Sequence, residues 1–138
     1  MNTSDNGLQL LMLREGKRYK AYLDSKGIPT IGVGHTGPEV KMGLVWTNQQ
    51  VVDTLRRDVS TAESCINSNV KVELTQNQFD ALVSFVFNVG VGAFSKSTML
   101  KKINNKDFVG ATSEFDKWHI PPEITSRRNS EKTQFSQM

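Results

Sequence analysis

Cysteine is almost absent from this sequence. Cys65 is the only one in 138 residues, so no internal disulfide can form and no Cys-x-x-Cys metal site exists. Long hydrophobic runs are missing too. The longest early one, LQLLML at residues 8–13, is interrupted by Gln9 and falls far short of the roughly 20 residues a membrane helix needs. No small-residue cleavage site follows it. There is no low-complexity tract and no internal repeat. No Lys/Arg tract interleaved with aromatics occurs, which weighs against nucleic acid as a partner. Charge of one sign is not in large excess either: 17 Lys and Arg against 14 Asp and Glu leave +3, which permits anionic cell envelopes without specifying any polyanion. These absences describe a chain expected to fold in a cytoplasm, with no integral membrane segment, no metal and no cofactor. If it acts outside, something else must release it. Cys65 itself reads as a small buried hydrophobe rather than a nucleophile.

What is present suits one domain, with room for two lobes. Leu8, Leu11 and Met12 form an apolar stripe on a helix expected from about Ser4 to Arg14. The next position on that stripe is Glu15, a carboxylate where the pattern calls for an apolar residue. From Tyr19 to about Val45 the texture changes. YKAYLDSKGIPTIGVGH has aromatics, β-branched residues and a D-S-K-G turn, and so predicts a β-hairpin, with Pro29 confined to an edge or a strand start. TNQQ at 47–50 and TQNQ at 75–78 are capping boxes. The first predicts one helix of about nineteen residues through Ile66, a strut spanning roughly 28 Å. The second predicts a buried helix, FDALVSFVFNVG, ended by Gly90 and Gly92. Further helices are expected at about Ser97–Asn104, at Asp107–Trp118 with Asp107 as N-cap, and at Thr125–Phe135 beyond the break HIPPE. The predicted class is α+β: a β-rich lobe over about 15–60, and a helical lobe over about 61–138 that also receives the N-terminal helix.

Gly32, Gly34 and Gly37 in IGVGHTG have the G-x-G-x-x-G spacing of a dinucleotide-binding loop. That reading requires a helix opening at these glycines, and none is predicted there. Glycines that let a hairpin backbone bend fit better.

Glu15, Asp24 and Thr30 stand out together. A carboxyl in apolar surroundings stays protonated more readily, while one at an exposed turn stays ionised. Two carboxyls so separated are what glycosidic-bond hydrolysis needs, and a nearby hydroxyl can hold a water. The plainer alternative is a solvated Glu15 paired with Arg18, and an Asp24 that serves only its turn.

Glu15, eight residues, Asp24, five residues, Thr30, then IGVGH resembles the phage-type lysozymes of glycoside hydrolase family 24, which include the T-even and lambdoid-type muramidases. GIPTIGVGHTG, LTQNQFDALVSFVFNVG and RRNSEKTQF resemble segments of that family in the same order, so the likeness runs from about residue 7 to 135. The resemblance implies a lysozyme-like fold whose cleft lies between two lobes joined by a long helix. It implies that Glu15 protonates the leaving glycosidic oxygen, that Asp24 acts as the base or otherwise stabilises positive charge on the sugar, and that Thr30 helps position the attacking water. The substrate it implies is the β-1,4 link between N-acetylmuramic acid and N-acetylglucosamine in bacterial peptidoglycan. Thr36, Phe87 and Ser97 match family cleft positions. Arg127 or Arg128 matches an arginine that holds the acid, with Arg127 taken as the match. His35 would form a structural ion pair with Asp58, catalytic base being the alternative, and His119 would be a surface or capping side chain. A family enzyme without signal or anchor would be a monomer, made in the host cytoplasm and released to the wall through a separate holin-like protein. Two rival activities remain: a lytic transglycosylase, against which Asp24 and Thr30 argue, and a non-catalytic wall-binding module, against which Glu15 argues.

Overall fold

The computed structural model describes residues 1–119 and 122–137. The order is α1 (Asp5–Glu15), β1 (Arg18–Leu23), β2 (Pro29–Gly32), α2 (Asn48–Asp58), α3 (Ser60–Asn69), α4 (Gln76–Val89), α5 (Val91–Ser95), α6 (Thr98–Asn104), α7 (Phe108–Glu114) and α8 (Thr125–Ser136), with 3-10 turns at Phe115–Lys117 and Pro122–Ile124. The protein is thus mostly helical with one antiparallel hairpin. The backbone divides into two compact units, one of Leu8–Asp58 and one of Met1–Gly7 with Val59–Met138. The boundary falls inside α1, so that helix begins with the second unit and ends with the first.

In the hairpin unit, β1 pairs antiparallel with β2, Tyr22 opposite Thr30 and Leu23 opposite Pro29. Pro29 opens its strand, where a missing N–H costs no ladder bond. The predicted turn forms at Asp24–Gly27, closed by the Gly27 N–H on Asp24 O at 3.0 Å, with Gly27 at φ 77°. Gly32 and Gly34 have φ 68° and 66°, a region that glycine occupies without penalty. At Gly32 there is a second reason: a Cβ would sit 3.1 Å from Trp46. No helix opens until Asn48, so these glycines shape the hairpin's return and cradle no phosphate. The core of this unit is Ile31, Val33, Val40, Val51 and Leu55, all buried.

The first capping box forms as read: Thr47 Oγ1 accepts from Gln50 N at 3.2 Å, and Gln50 Oε1 accepts from Thr47 N at 2.8 Å. The single long strut does not. It is two helices, with the break at Val59. Val59, Ser60 and Thr61 follow one another there, two β-branched residues and a serine. Such residues lose rotamer freedom in a helix or compete for its backbone bonds. Val59 is fully buried, so its packing holds the chain while the helical ladder restarts at its carbonyl, which accepts from Glu63 N at 2.9 Å.

The helical unit is built on α4, which packs on α3, α5 and α8. Both arms of the Thr75–Gln78 capping box are present, and Gly90 at φ 94° ends the helix. Gly92 lies inside the short α5 rather than ending α4, because Gly90 alone supplies the stop. Phe85 is the centre of an aromatic cluster, with Phe115 and Trp118 both at 5.3 Å in edge-on contact. Ser4 caps α1 through Gly7 N at 3.0 Å and also donates to the buried Asp80 of α4, which ties the N-terminal segment down. The HIPPE break falls partly on residues 120–121, outside the described residues.

Candidate active site

Glu15 is the last residue of α1 and is half-buried. Gly16 follows at φ 76° and donates to Met12 O at 2.8 Å, a left-handed helix stop that fixes where Glu15 leaves the helix. The stripe that precedes it is buried, with Leu11 at 1% exposure, so the carboxyl sits at the margin of apolar packing.

Asp24 is held by its turn. Its Oδ1 accepts from Lys26 N and Ile28 N, both at 2.8 Å. Its Oδ2 takes no hydrogen bond among the described residues. The turn-forming use and an open carboxylate oxygen are therefore both present in one side chain. Thr30 lies opposite Tyr22 on β2 and is buried; its hydroxyl donates to Ile28 O at 2.8 Å. That commits the Thr30 proton and leaves the oxygen as an acceptor. Glu15, Asp24 and Thr30 all belong to the hairpin unit.

His35 and Asp58 meet as expected, with Nδ1 2.7 Å from Asp58 Oδ2. The sequence reading missed the second partner: Nε2 lies 2.6 Å from Glu39 Oε1. When protonated, the ring donates to both carboxylates. Burial is the largest single influence on this group and pulls its pKa down, but the hydrogen bonds and charges of Glu39 and Asp58 together outweigh it, so His35 titrates above its ordinary 6.5. The His35 hydrogen bond in turn holds Glu39 below its ordinary 4.5. Trp46 packs on the imidazole with ring centroids 5.7 Å apart. The i, i+4 spacing of His35 and Glu39 was visible, but Gly37 and Pro38 break any helix between them, so the spacing alone carried no signal.

Thr36 is exposed on the hairpin unit, whereas Phe87, Ser97 and Arg127 belong to the helical unit. Phe87 is half-buried near the end of α4. Ser97 is 7% exposed and its hydroxyl caps α6, accepting from Leu100 N at 3.1 Å and donating to Phe94 O at 2.7 Å. Arg128 is fully buried and committed to Glu131, to Asn88 and, at 3.0 Å, to Trp118 O. Arg127, beside it, is half-buried. Glu131 also accepts from Ser84 at 2.5 Å. The Arg128–Glu131 spacing was open to reading; the part played by Asn88, forty positions away, was not.

A mostly helical chain carrying an antiparallel hairpin, with its acids at a helix end and a hairpin turn, has the architecture of the lysozyme class of glycosidases. Residues 13–131 match the phage lysozyme family. The chain is 42% identical over 143 residues to the endolysin of Salmonella phage P22, covering 98% of each. A crystal structure of a P22 lysozyme mutant superposes with a TM-score of 0.93 at 41% identity, covering 99% of both chains. The muramidase domain of SpmX from Asticaccaulis excentricus superposes at 0.90 with 35% identity, again over 99% of both. The protein belongs to the phage lysozyme family. It is a peptidoglycan-lysing glycosidase of the muramidase type, an endolysin. Among the described residues no helix is long and apolar enough to cross a membrane.

Proposed function

We propose that the enzyme hydrolyses the β-1,4 bond between N-acetylmuramic acid and N-acetylglucosamine by a single inverting displacement run by Glu15, Asp24 and Thr30. Glu15 gives its proton to the glycosidic oxygen as the bond to the muramic C1 breaks. A water attacks C1 from the opposite face of the ring. It gives one hydrogen to the Thr30 oxygen as a hydrogen bond and its transferred proton to Asp24, so that its lone pair points at C1. The observation that carries this reading is the division of labour at the hairpin. Asp24 Oδ1 is fixed by two backbone N–H groups while Oδ2 remains open, and the Thr30 proton is already spent on Ile28 O. Each group is thereby left with an oxygen that can accept, which supports the reading that they share one water. Arg128 is engaged within the helical unit, and Arg127 is the arginine assigned to the site on the family likeness alone. On the hairpin unit Thr36, and on the helical unit Phe87 and Ser97, are the proposed glycan contacts. The enzyme acts as a monomer on the cell wall, after synthesis in the host cytoplasm and release through a separate holin-like protein.

The test is Glu15→Gln, which keeps the shape and removes the transferable proton. Clearing of outer-membrane-permeabilised cells should fall by about 10²–10⁴-fold with an unchanged melting temperature. Near-parental clearing would remove Glu15 from its role. Mass spectrometry of the products separates hydrolysis from transglycosylation, because only the latter leaves an anhydro sugar.

A further inference from the structure

The surplus positive charge of this protein is not spread over it. Residues 8–58 carry eight Lys and Arg against five Asp and Glu, while the rest of the chain carries nine against nine. Five of those eight, Lys17, Arg18, Lys20, Lys26 and Lys41, are exposed on and around the hairpin. Among the described residues none of the five meets a carboxylate, whereas in the helical unit Lys102, Lys117 and Lys132 each do. No acid occurs between Gly16 and Leu23. β1 is irregular between Arg18 and Tyr22, and across that irregularity the Arg18 guanidinium lies over the Tyr22 ring at 4.8 Å. A shallow depression of about 410 Å³ runs along residues 17–22.

Large apolar side chains stand among these cations. Val45 is paired directly with Lys20 and is 59% exposed; Met42, beside Lys41, is 56% exposed; Leu23 and Ile28 flank the turn that carries Lys26, at 56% and 44%. Unpaired cations interleaved with protruding aliphatic groups are the signature of a surface that meets anionic lipid, where headgroup phosphates attract the cations and the aliphatic tips enter the acyl boundary. Two other anionic partners fit less well. Single-stranded nucleic acid stacks successive bases on open aromatic faces, and this surface offers few: Lys17 and Arg18 each occupy one ring face, of Tyr19 and Tyr22, and of the two rings Tyr19, at 41%, is the exposed one. An acidic polymer in water gives Val45 and Met42 nothing to bury against.

We propose that this face of the hairpin is a docking surface for an anionic phospholipid bilayer. Lys20, Lys41, Met42 and Val45 have no part in the proposed chemistry, whereas at the turn Lys26 and Ile28 also hold Asp24 and Thr30 through their backbone groups. Each cation near such a surface contributes about 1 kcal/mol, or about fivefold in affinity.

The intact chain should float with vesicles of phosphatidylglycerol and phosphatidylcholine at low salt, release at high salt, and ignore vesicles of phosphatidylcholine alone. Lys20→Glu with Lys41→Glu should weaken that binding by at least about 25-fold. Cleavage of soluble glycan fragments and the melting temperature should stay at parental values. Met42→Ser with Val45→Ser should weaken vesicle binding several-fold yet leave binding to a short DNA duplex unchanged, a difference that charge attraction alone does not produce. The proposal is overturned if the parent protein ignores phosphatidylglycerol vesicles, if either pair of substitutions leaves vesicle binding unaltered, or if the duplex is bound more tightly than the vesicles.

Discussion

His35→Asn should lower stability most at mildly acidic pH and leave catalysis in place. The imidazole lies between two carboxylates at 2.7 and 2.6 Å, and its side chain is 19% exposed. A hydrogen bond to a charged group contributes about 1.5–3 kcal/mol, and an exposed ion pair about 0–1. A half-buried pair falls between, so about 1–2 kcal/mol is expected for the His35–Asp58 contact. At about 4 °C per kcal/mol for a chain of this size, the melting temperature should drop by about 4–8 °C. The pH dependence follows from the directions of the shifts. His35 is raised, so its contribution is full below the unfolded value of 6.5 and is lost as pH rises through the folded value. Glu39 is lowered, so its contribution is present above 4.5 and is lost as pH falls through its folded value. The deficit in the variant should therefore be widest between about pH 4.5 and 6.5 and should narrow by pH 8.5. Circular dichroism melts at pH 5.5 and 8.5 measure it, and a double-mutant cycle with Asp58→Asn isolates the pair. A deficit equal at both pH values would refute the charge argument. A variant that melts like its parent but no longer lyses cells would make His35 catalytic.

Three further outcomes can be checked. The first product sugar should be the α-anomer, as an inverting pair requires, and proton NMR of fresh product would show an initial β-anomer if the displacement were double. Thr30→Ser should keep most activity while Thr30→Val loses it with little change in KM, because only the former retains an acceptor for the water; equal rates in the two would remove Thr30 from the mechanism. Arg128→Met strips a fully buried Glu131 of its cation and should cost about 3–5 kcal/mol, whereas Arg128→Met with Glu131→Leu should recover much of that, both read by chemical denaturation.

The predicted elements that formed are those governed by neighbours a few residues apart. Both capping boxes close as spaced, because i to i+3 contacts need only the local chain. The left-handed glycines at 32 and 34 were foreseeable because no Cβ competes there. The order Glu15, Asp24, Thr30 was legible as a signature, and the Asp24 turn that sets its geometry is itself local.

Tertiary packing decided the rest. The strut is broken at Val59 because a buried side chain fixes the backbone where weak helix formers meet; helical periodicity continues smoothly across that point and hides it. That Arg128 is spent inside the helical unit depends on Asn88 and Glu131, which converge on it from different helices. His35 gained Glu39 as well as Asp58 because the turn at Gly37–Pro38 folds one acid back toward a ring that α2 meets with the other. The sequence determined which groups the protein has and how each short segment bends. Which of those groups share a low-dielectric neighbourhood, and so hold each other's protons, was decided only when segments distant in the chain packed together. Electrostatic and packing energies depend on separation in space, and the order of residues does not specify that separation.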